Sequence, residues 1–129
     1  MEAIEVPELD RFGNDLNFSR VVRSGNLVLV SGLTGTAPPG HVANDAAQQV
    51  RMAFQQVGWC LAAAGLEYRH IVEMTTYHVG LRDHLDVFAR VKDEFITAPY
   101  PAWTAIGVSE LITPGAIVEI RVTAELEGL

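Results

Sequence analysis

A chain of 129 residues is the size of one domain around one core, and an apolar fraction of 49% is ample to fill that core. Nine Lys and Arg set against sixteen Asp and Glu give a formal charge of −7, which argues against the clustered basic surface that phosphate-backbone binding needs. Cys60 is the only cysteine, so no intrachain disulfide forms, and no apolar run approaches the roughly 20 residues of a membrane-spanning helix.

The acidic start, Met1-Glu2-Ala3-Ile4-Glu5, lacks the basic-then-apolar layout of a signal peptide, so a single cytoplasmic domain over 1–129 is expected. Ser19 to Val22 and Leu27 to Val30 are β-rich runs separated by Ser24-Gly25-Asn26, the pattern of a hairpin. A Gly- and Pro-rich loop follows from Gly35 to Gly40. Val50, Phe54, Val57, Leu61 and Ala64 then recur at helical spacing. Asn44 or Asp45 is the expected N-cap, Gln48 completes a capping-box pattern with Asp45, and Gly65 stands at the C-cap. Cys60, inside this helix among apolar residues, is expected to be buried packing.

Ile71 to Val79 is β-branched and aromatic and predicts a strand. Asp83 is the expected cap of a second helix with Leu85, Phe88, Val91 and Phe95 as its apolar stripe, and Thr97 to Pro101 breaks it. Two strands, Ala102 to Val108 and Ala116 to Leu126, complete the order ββ-α-β-α-ββ. That order predicts an α+β two-layer sandwich with two helices on one face of a mixed sheet. In the last strand Val118, Ile120 and Val122 are expected beneath the helices, with Ile117, Glu119, Arg121 and Thr123 on the other face. Trp103, Ala105 and Gly107 are expected on that second face too, and Thr104 on the helix side as a structural residue. A face mixing apolar and charged residues on a small sheet suits a subunit interface, so a homo-oligomer is expected.

Several landmarks in this order and spacing resemble the RidA/YjgF family of small trimeric proteins. They are Phe18-Ser19, Val30-Ser31-Gly32, Gln49, Ala64-Gly65-Leu66, Thr75-Thr76-Tyr77, Glu94-Phe95, Pro101-Ala102 and Val118-Glu119-Ile120, covering the chain from about Asn17 to Ala124. The resemblance implies a chorismate-mutase-like fold and a homotrimer whose sheets face inward as a barrel. It also implies small-molecule ligands in clefts between subunits, and hydrolysis of enamines and imines such as 2-aminoacrylate to 2-oxo acids and ammonia. No metal or organic cofactor is implied, and the sequence has no P-loop, zinc spacing or dinucleotide fingerprint.

One departure bears directly on that chemistry. The family places an arginine directly after Pro-Ala, where a guanidinium grips a carboxylate in two parallel hydrogen bonds. Here Trp103 follows Pro101-Ala102, with one donor, no charge and a large apolar face. Two roles are open to it: filling the cleft as interface packing, or forming the floor of a pocket for an uncharged or aromatic ligand. Phe18 replaces a tyrosine, Ala105 a cysteine found in some relatives, and the segment Leu81 to Ile96 lacks an asparagine often found near Ala89.

Glu119 is the preserved chemical group, and the resemblance assigns its counterpart to orienting or activating the attacking water. It faces a wet cleft or is paired, with Arg121 on the same face as the candidate partner and also as a candidate substitute cation. Ser31 and Gly32 are retained where the family's backbone touches its ligand; a strand end needing a small residue is the other reading. His41, His70, His78 and His84 show no metal spacing, and of these His78 is the one placed to reach a cleft.

Three functions are therefore carried forward. The first is a modified inter-subunit pocket that binds, and hydrolyses, a metabolite other than simple 2-imino acids. The second is a conventional 2-imino acid deaminase with a substitute cation, and the third a non-enzymatic ligand-binding or sensor trimer. Ligand-induced stabilisation without turnover would mark the third.

Overall fold

The computed structural model describes residues 1–36 and 41–127, so most of the expected Gly- and Pro-rich loop lies outside the described residues. The elements in chain order are β1 (Glu2–Ile4), α1 (Pro7–Asp10), β2 (Val21–Ser24), β3 (Leu27–Thr34), α2 (Ala46–Ala63), β4 (Ile71–His78), α3 (Leu81–Phe95), β5 (Ala102–Gly107) and β6 (Val118–Glu125). The strands form one sheet in the order β1-β2-β3-β6-β4-β5. β4 and β5 run parallel, whereas the other pairings are antiparallel, so the sheet is mixed. The expected α+β order is present, with β1 and α1 added. Three and four residues are too few for a periodicity to announce them.

Hydrophobic burial explains the layers. The helix-facing residues Val118, Ile120 and Val122 of β6 and Met74 of β4 pack with Phe54, Val57 and Leu61 of α2 and Phe88 and Val91 of α3. Cys60 is fully buried in this core, and burial pushes its thiol up to about 12, so it is un-ionised at neutral pH. No described helix is long and apolar enough to cross a membrane.

Local chemistry sets the helix ends. Gly65, at φ +76°, lets the chain leave α2; its N–H bonds Ala62 O at 2.9 Å while Leu66 N–H bonds Leu61 O at 2.8 Å, a Schellman closure. Asp45 is the N-cap, but its side chain makes no capping bond, so the expected capping box does not form. Gln49 is buried instead, donating to Ala43 O (2.9 Å) and Gly115 O (3.2 Å) and accepting from Ile117 N–H (3.0 Å), which ties the approach to α2 to the approach to β6. α3 begins at Leu81, earlier than expected: Gly80, at φ +71°, is the N-cap and Asp83 lies in the first turn. There its negative charge still complements the helix dipole.

The faces of β5 reverse the expectation. Parallel pairing sets Trp103 beside Met74 and Ala105 beside Thr76, and residues in register point to the same side. Trp103, Ala105 and Gly107 therefore share the helix side with Met74, Thr76 and His78, while Ala102, Thr104 and Ile106 share the open side with Glu73, Thr75 and Tyr77. Alternation within a strand sorts residues into two sets. Which set faces the helices is decided by the crossover through α3, which brings β5 alongside β4 rather than β6.

Backbone packing yields a stability test. A Cβ at Gly35 would lie 2.1 Å from the carbonyl oxygen of Gln49, an atom of the α2 backbone that has no rotamer to escape into. Gly35→Ala is expected to cost about 2 kcal/mol or more through overpacking. Urea unfolding would register this as a lower midpoint at unchanged slope. An unmoved midpoint would mean that the contact is not confining.

Candidate functional site

The first group of candidate residues gathers at a break in the β3–β6 ladder. Val30 pairs with Val122 and Leu33 with Ile120, so Ser31 and Gly32 together oppose Arg121 alone. This two-against-one arrangement is a β-bulge, which re-aims side chains locally. Ser31 N–H bonds Arg20 O at 2.8 Å and its hydroxyl donates to Ser19 O at 2.7 Å. The segment carrying Phe18, whose side is 47% exposed, is thereby held beside the bulge. A Cβ on Gly32 would sit 2.6 Å from both Cδ and Oε2 of Glu119. Gly32 is thus the seat of the Glu119 side chain, the close approach that glycine permits.

Glu119 is half-buried, flanked on the open face by Thr34 and Tyr77. Burial raises its pKa, and no compensating cation lowers it. Arg121 shares the face but is exposed, and among the described residues of the single chain it forms no ion pair with Glu119. A carboxyl group desolvated without a counter-charge holds its proton more readily and suits general acid–base work.

Trp103 and Ala105 do not join this group. They lie on the opposite face, and Trp103 is two strands and three register positions from Glu119, roughly 14 Å at ordinary strand spacing and rise. Thr104, expected on the helix side, is on the open face with Glu119. The Trp103 indole packs on Phe88 of α3 with ring centroids 5.6 Å apart. Its Nε1–H donates to Thr76 Oγ1 at 2.9 Å, and Thr76 Oγ1 lies 2.7 Å from His78 Nε2. With the hydroxyl oxygen accepting from Trp103, its proton is free for His78 Nε2, which fits a neutral imidazole. Burial, reinforced by His84, lowers the His78 pKa in the same sense. His78 is therefore a buried core residue, not the cleft residue its strand position suggested.

The same corner holds groups that the sequence reading missed. Lys92 lies one turn beyond Phe88, and its ammonium stands 5.1 Å from the Trp103 ring centroid and 5.6 Å from that of Tyr100. Each contact has cation–π geometry, worth about 0.5–1 kcal/mol at such a site. The four-residue spacing of Phe88 and Lys92 was the available signal, since residues one turn apart share a helix face.

An open depression of about 440 Å³ lies elsewhere, lined by residues including His41, Val42, Gln48, Arg51 and Met52. It brings no acid and base together: Arg51 there is clamped by Glu94 at 2.7 Å. Among the described residues no three His, Cys, Asp or Glu cluster as a metal site would require.

Comparison with known proteins bears on the family and the fold. The family described as Endoribonuclease L-PSP matches residues 9–126. The RutC family protein YjgH of Escherichia coli K12 is 39% identical over 110 residues, spanning 84% of this chain and 82% of that protein. A solved structure of a protein YjgH superposes with a TM-score of 0.79 at 37% identity, covering 87% of this chain and 85% of that one. The E. coli YjgF gene product gives a TM-score of 0.87 at 25% identity over 97% and 98% of the two chains. E. coli TdcF, solved with bound serine, gives 0.82 at 26% identity over 97% and 98%.

The unpaired carboxyl makes stability depend on pH. Because folding raises the Glu119 pKa, the native state binds more proton than the unfolded chain between the two values, and stability falls as pH rises through that window. Glu119→Gln is expected to melt higher than the parent at about pH 8 and to lose that advantage near pH 4, below the unfolded value. Thermal melts across pH decide the matter; a difference independent of pH would contradict the unpaired state.

Proposed function

The chain belongs to the Endoribonuclease L-PSP family, the RidA/YjgF group, and from that premise we propose that it binds a small metabolite in clefts between the subunits of a homotrimer, with Glu119 handling protons there. The observation that carries this reading is the Glu119 carboxylate, seated on Gly32 at the Ser31–Gly32 bulge, half-buried and without a counter-charge among the described residues.

Trp103 and Glu119 occupy opposite faces of one sheet and so do not share a cleft within one chain, which removes their expected juxtaposition. Two features support clefts shared between subunits. β5 is an edge strand with no charged residue, with Trp103 38% and Ile106 40% exposed; such an edge needs a cover. The open face also exposes Leu27 and Leu29 beside Thr123 and Glu125. A head-to-tail contact that closes on itself generates a ring, and the family resemblance makes that ring a trimer. The serine held by TdcF favours a ligand of amino-acid size.

In the reaction that suits such a cleft, water attacks the carbon of a C=N bond while the Glu119 carboxylate takes one of its protons. With the imine nitrogen already protonated, attack gives a neutral carbinolamine. The carboxyl then passes its proton to the amine as the C–N bond breaks, and the hydroxyl proton returns to the carboxylate, leaving ammonia and a carbonyl product. Trp103 offers no guanidinium fork, and losing a charge-assisted pair typically costs a few kcal/mol of binding. Small 2-imino acids are therefore expected to be poor substrates, and the preferred ligand to be less polar. The charge of −7, with Glu73, Glu119 and Glu125 on the open face, disfavours RNA as that ligand.

Sedimentation equilibrium with a coupled assay tests the reading. Three copies per particle are expected, with turnover of 2-aminoacrylate at least about tenfold below that of an arginine-bearing relative. The residual rate should disappear in Glu119→Gln. A monomer at micromolar concentration, or turnover indifferent to Glu119→Gln, would refute it.

A further inference from the structure

Lys92 is the only lysine in the chain, and its surroundings differ from those of the buttressed arginines. Arg20 is paired with Asp10, Arg51 with Glu94, and Arg69 with Glu67 and Glu127. The Lys92 side chain is only 13% exposed, yet its ammonium makes no hydrogen bond among the described residues. The carboxylate nearest to it is that of its chain neighbour Asp93, at 3.7 Å and itself 70% exposed, a distance and exposure that bind weakly. What holds the side chain is aromatic: the Trp103 and Tyr100 rings. Ring faces attract a cation without consuming its N–H donors. All three donors therefore remain for a guest.

We infer that Lys92 is the anion-binding group of the cleft and that the ligand is a small carboxylate with a flat, apolar body. This rests on the shared-cleft reading above and names what that cleft selects. A flexible ammonium ordinarily loses side-chain freedom when it binds an anion; here the two rings have already restricted it, so less is lost. The indole and phenol that hold it stay partly exposed and extend an apolar surface from the charge, against which the ligand body lies. An ammonium is a point charge rather than a fork, so it fixes a carboxylate's position without its orientation, and selectivity falls to the aromatic wall. Trp103 thus acts as a positioning residue for the cation.

The single lysine makes the test simple. Protein carrying ¹³C-labelled lysine gives one side-chain signal, displaced by the flanking rings, and it is titrated with benzoate and with the neutral isostere benzyl alcohol. Benzoate should move that signal saturably. Lys92→Met, which keeps the packed stem, should weaken benzoate by about tenfold or more and leave benzyl alcohol unchanged, while Lys92→Arg should retain benzoate within a few-fold. Equal benzoate affinity in parent and Lys92→Met would overturn the assignment while leaving the cleft intact. Loss of both probes in Lys92→Met would reduce Lys92 to a packing role. Binding of neither probe to the intact oligomer would remove the ligand cleft as well as its handle.

Discussion

The parallel register of β5 on β4 decides which chemical groups of this protein can meet. Trp103 beside Met74 and Ala105 beside Thr76 turn the indole beneath α3, where Phe88 and Lys92 meet it and Thr76 takes its N–H. A shift of one residue would reverse every side chain of the strand, exposing the indole on the open face and burying Thr104 and Ile106. The aromatic cluster and the register therefore support each other. His78, stacked edge-on against Phe88 at 4.8 Å and bonded to Thr76, closes the cluster from the β4 side.

On the other face the corresponding element is the bulge of β3. Two residues opposing Arg121 interrupt the ladder beside the central strand β6, and the glycine among them leaves room for a carboxylate that no cation neutralises among the described residues. The candidate acid Glu119 lies on the open face, beside an exposed Arg121, and the pinned Lys92 ammonium lies beneath the helix at the sheet edge. The sheet separates them within one chain. An exposed apolar edge strand and an open face carrying Leu27, Leu29 and Ile106 supply the surfaces through which a second copy would bring opposite halves together.

Much of this architecture was legible in the residues. Helical spacing from Val50 to Leu61 and Gly65 beyond it define α2, and the strand patterns mark five of the six described strands, β1 being the exception. Alternation in β6 correctly sends Val118, Ile120 and Val122 to the core and Glu119 and Arg121 to the open face. The glycine signals close approach, but that the approaching group is the protein's own Glu119 carboxylate depends on the pairing of β3 with β6, segments distant in sequence. The face of Trp103 was misread because alternation carries no absolute phase, and the phase here comes from a crossover between distant segments. Lys92 was overlooked for a related reason: its partners Tyr100 and Trp103 lie across the breaker segment, and helical spacing alone does not show what a stripe packs against. Asp45 and Asp83 fit capping patterns, but Asp45 caps α2 without a side-chain hydrogen bond and Gly80 takes the N-cap of α3.

The account stands or falls on whether the two halves meet across a subunit boundary. Placing cysteines at Glu119 and at the exposed Tyr100, with buried Cys60 left native, and treating the intact protein with a short bismaleimide, measures this directly. Links between chains, seen as dimers and trimers on a denaturing gel only when both cysteines are present, are the expected result. Cross-linking confined to single chains, or none at all in a protein that remains oligomeric, would contradict it.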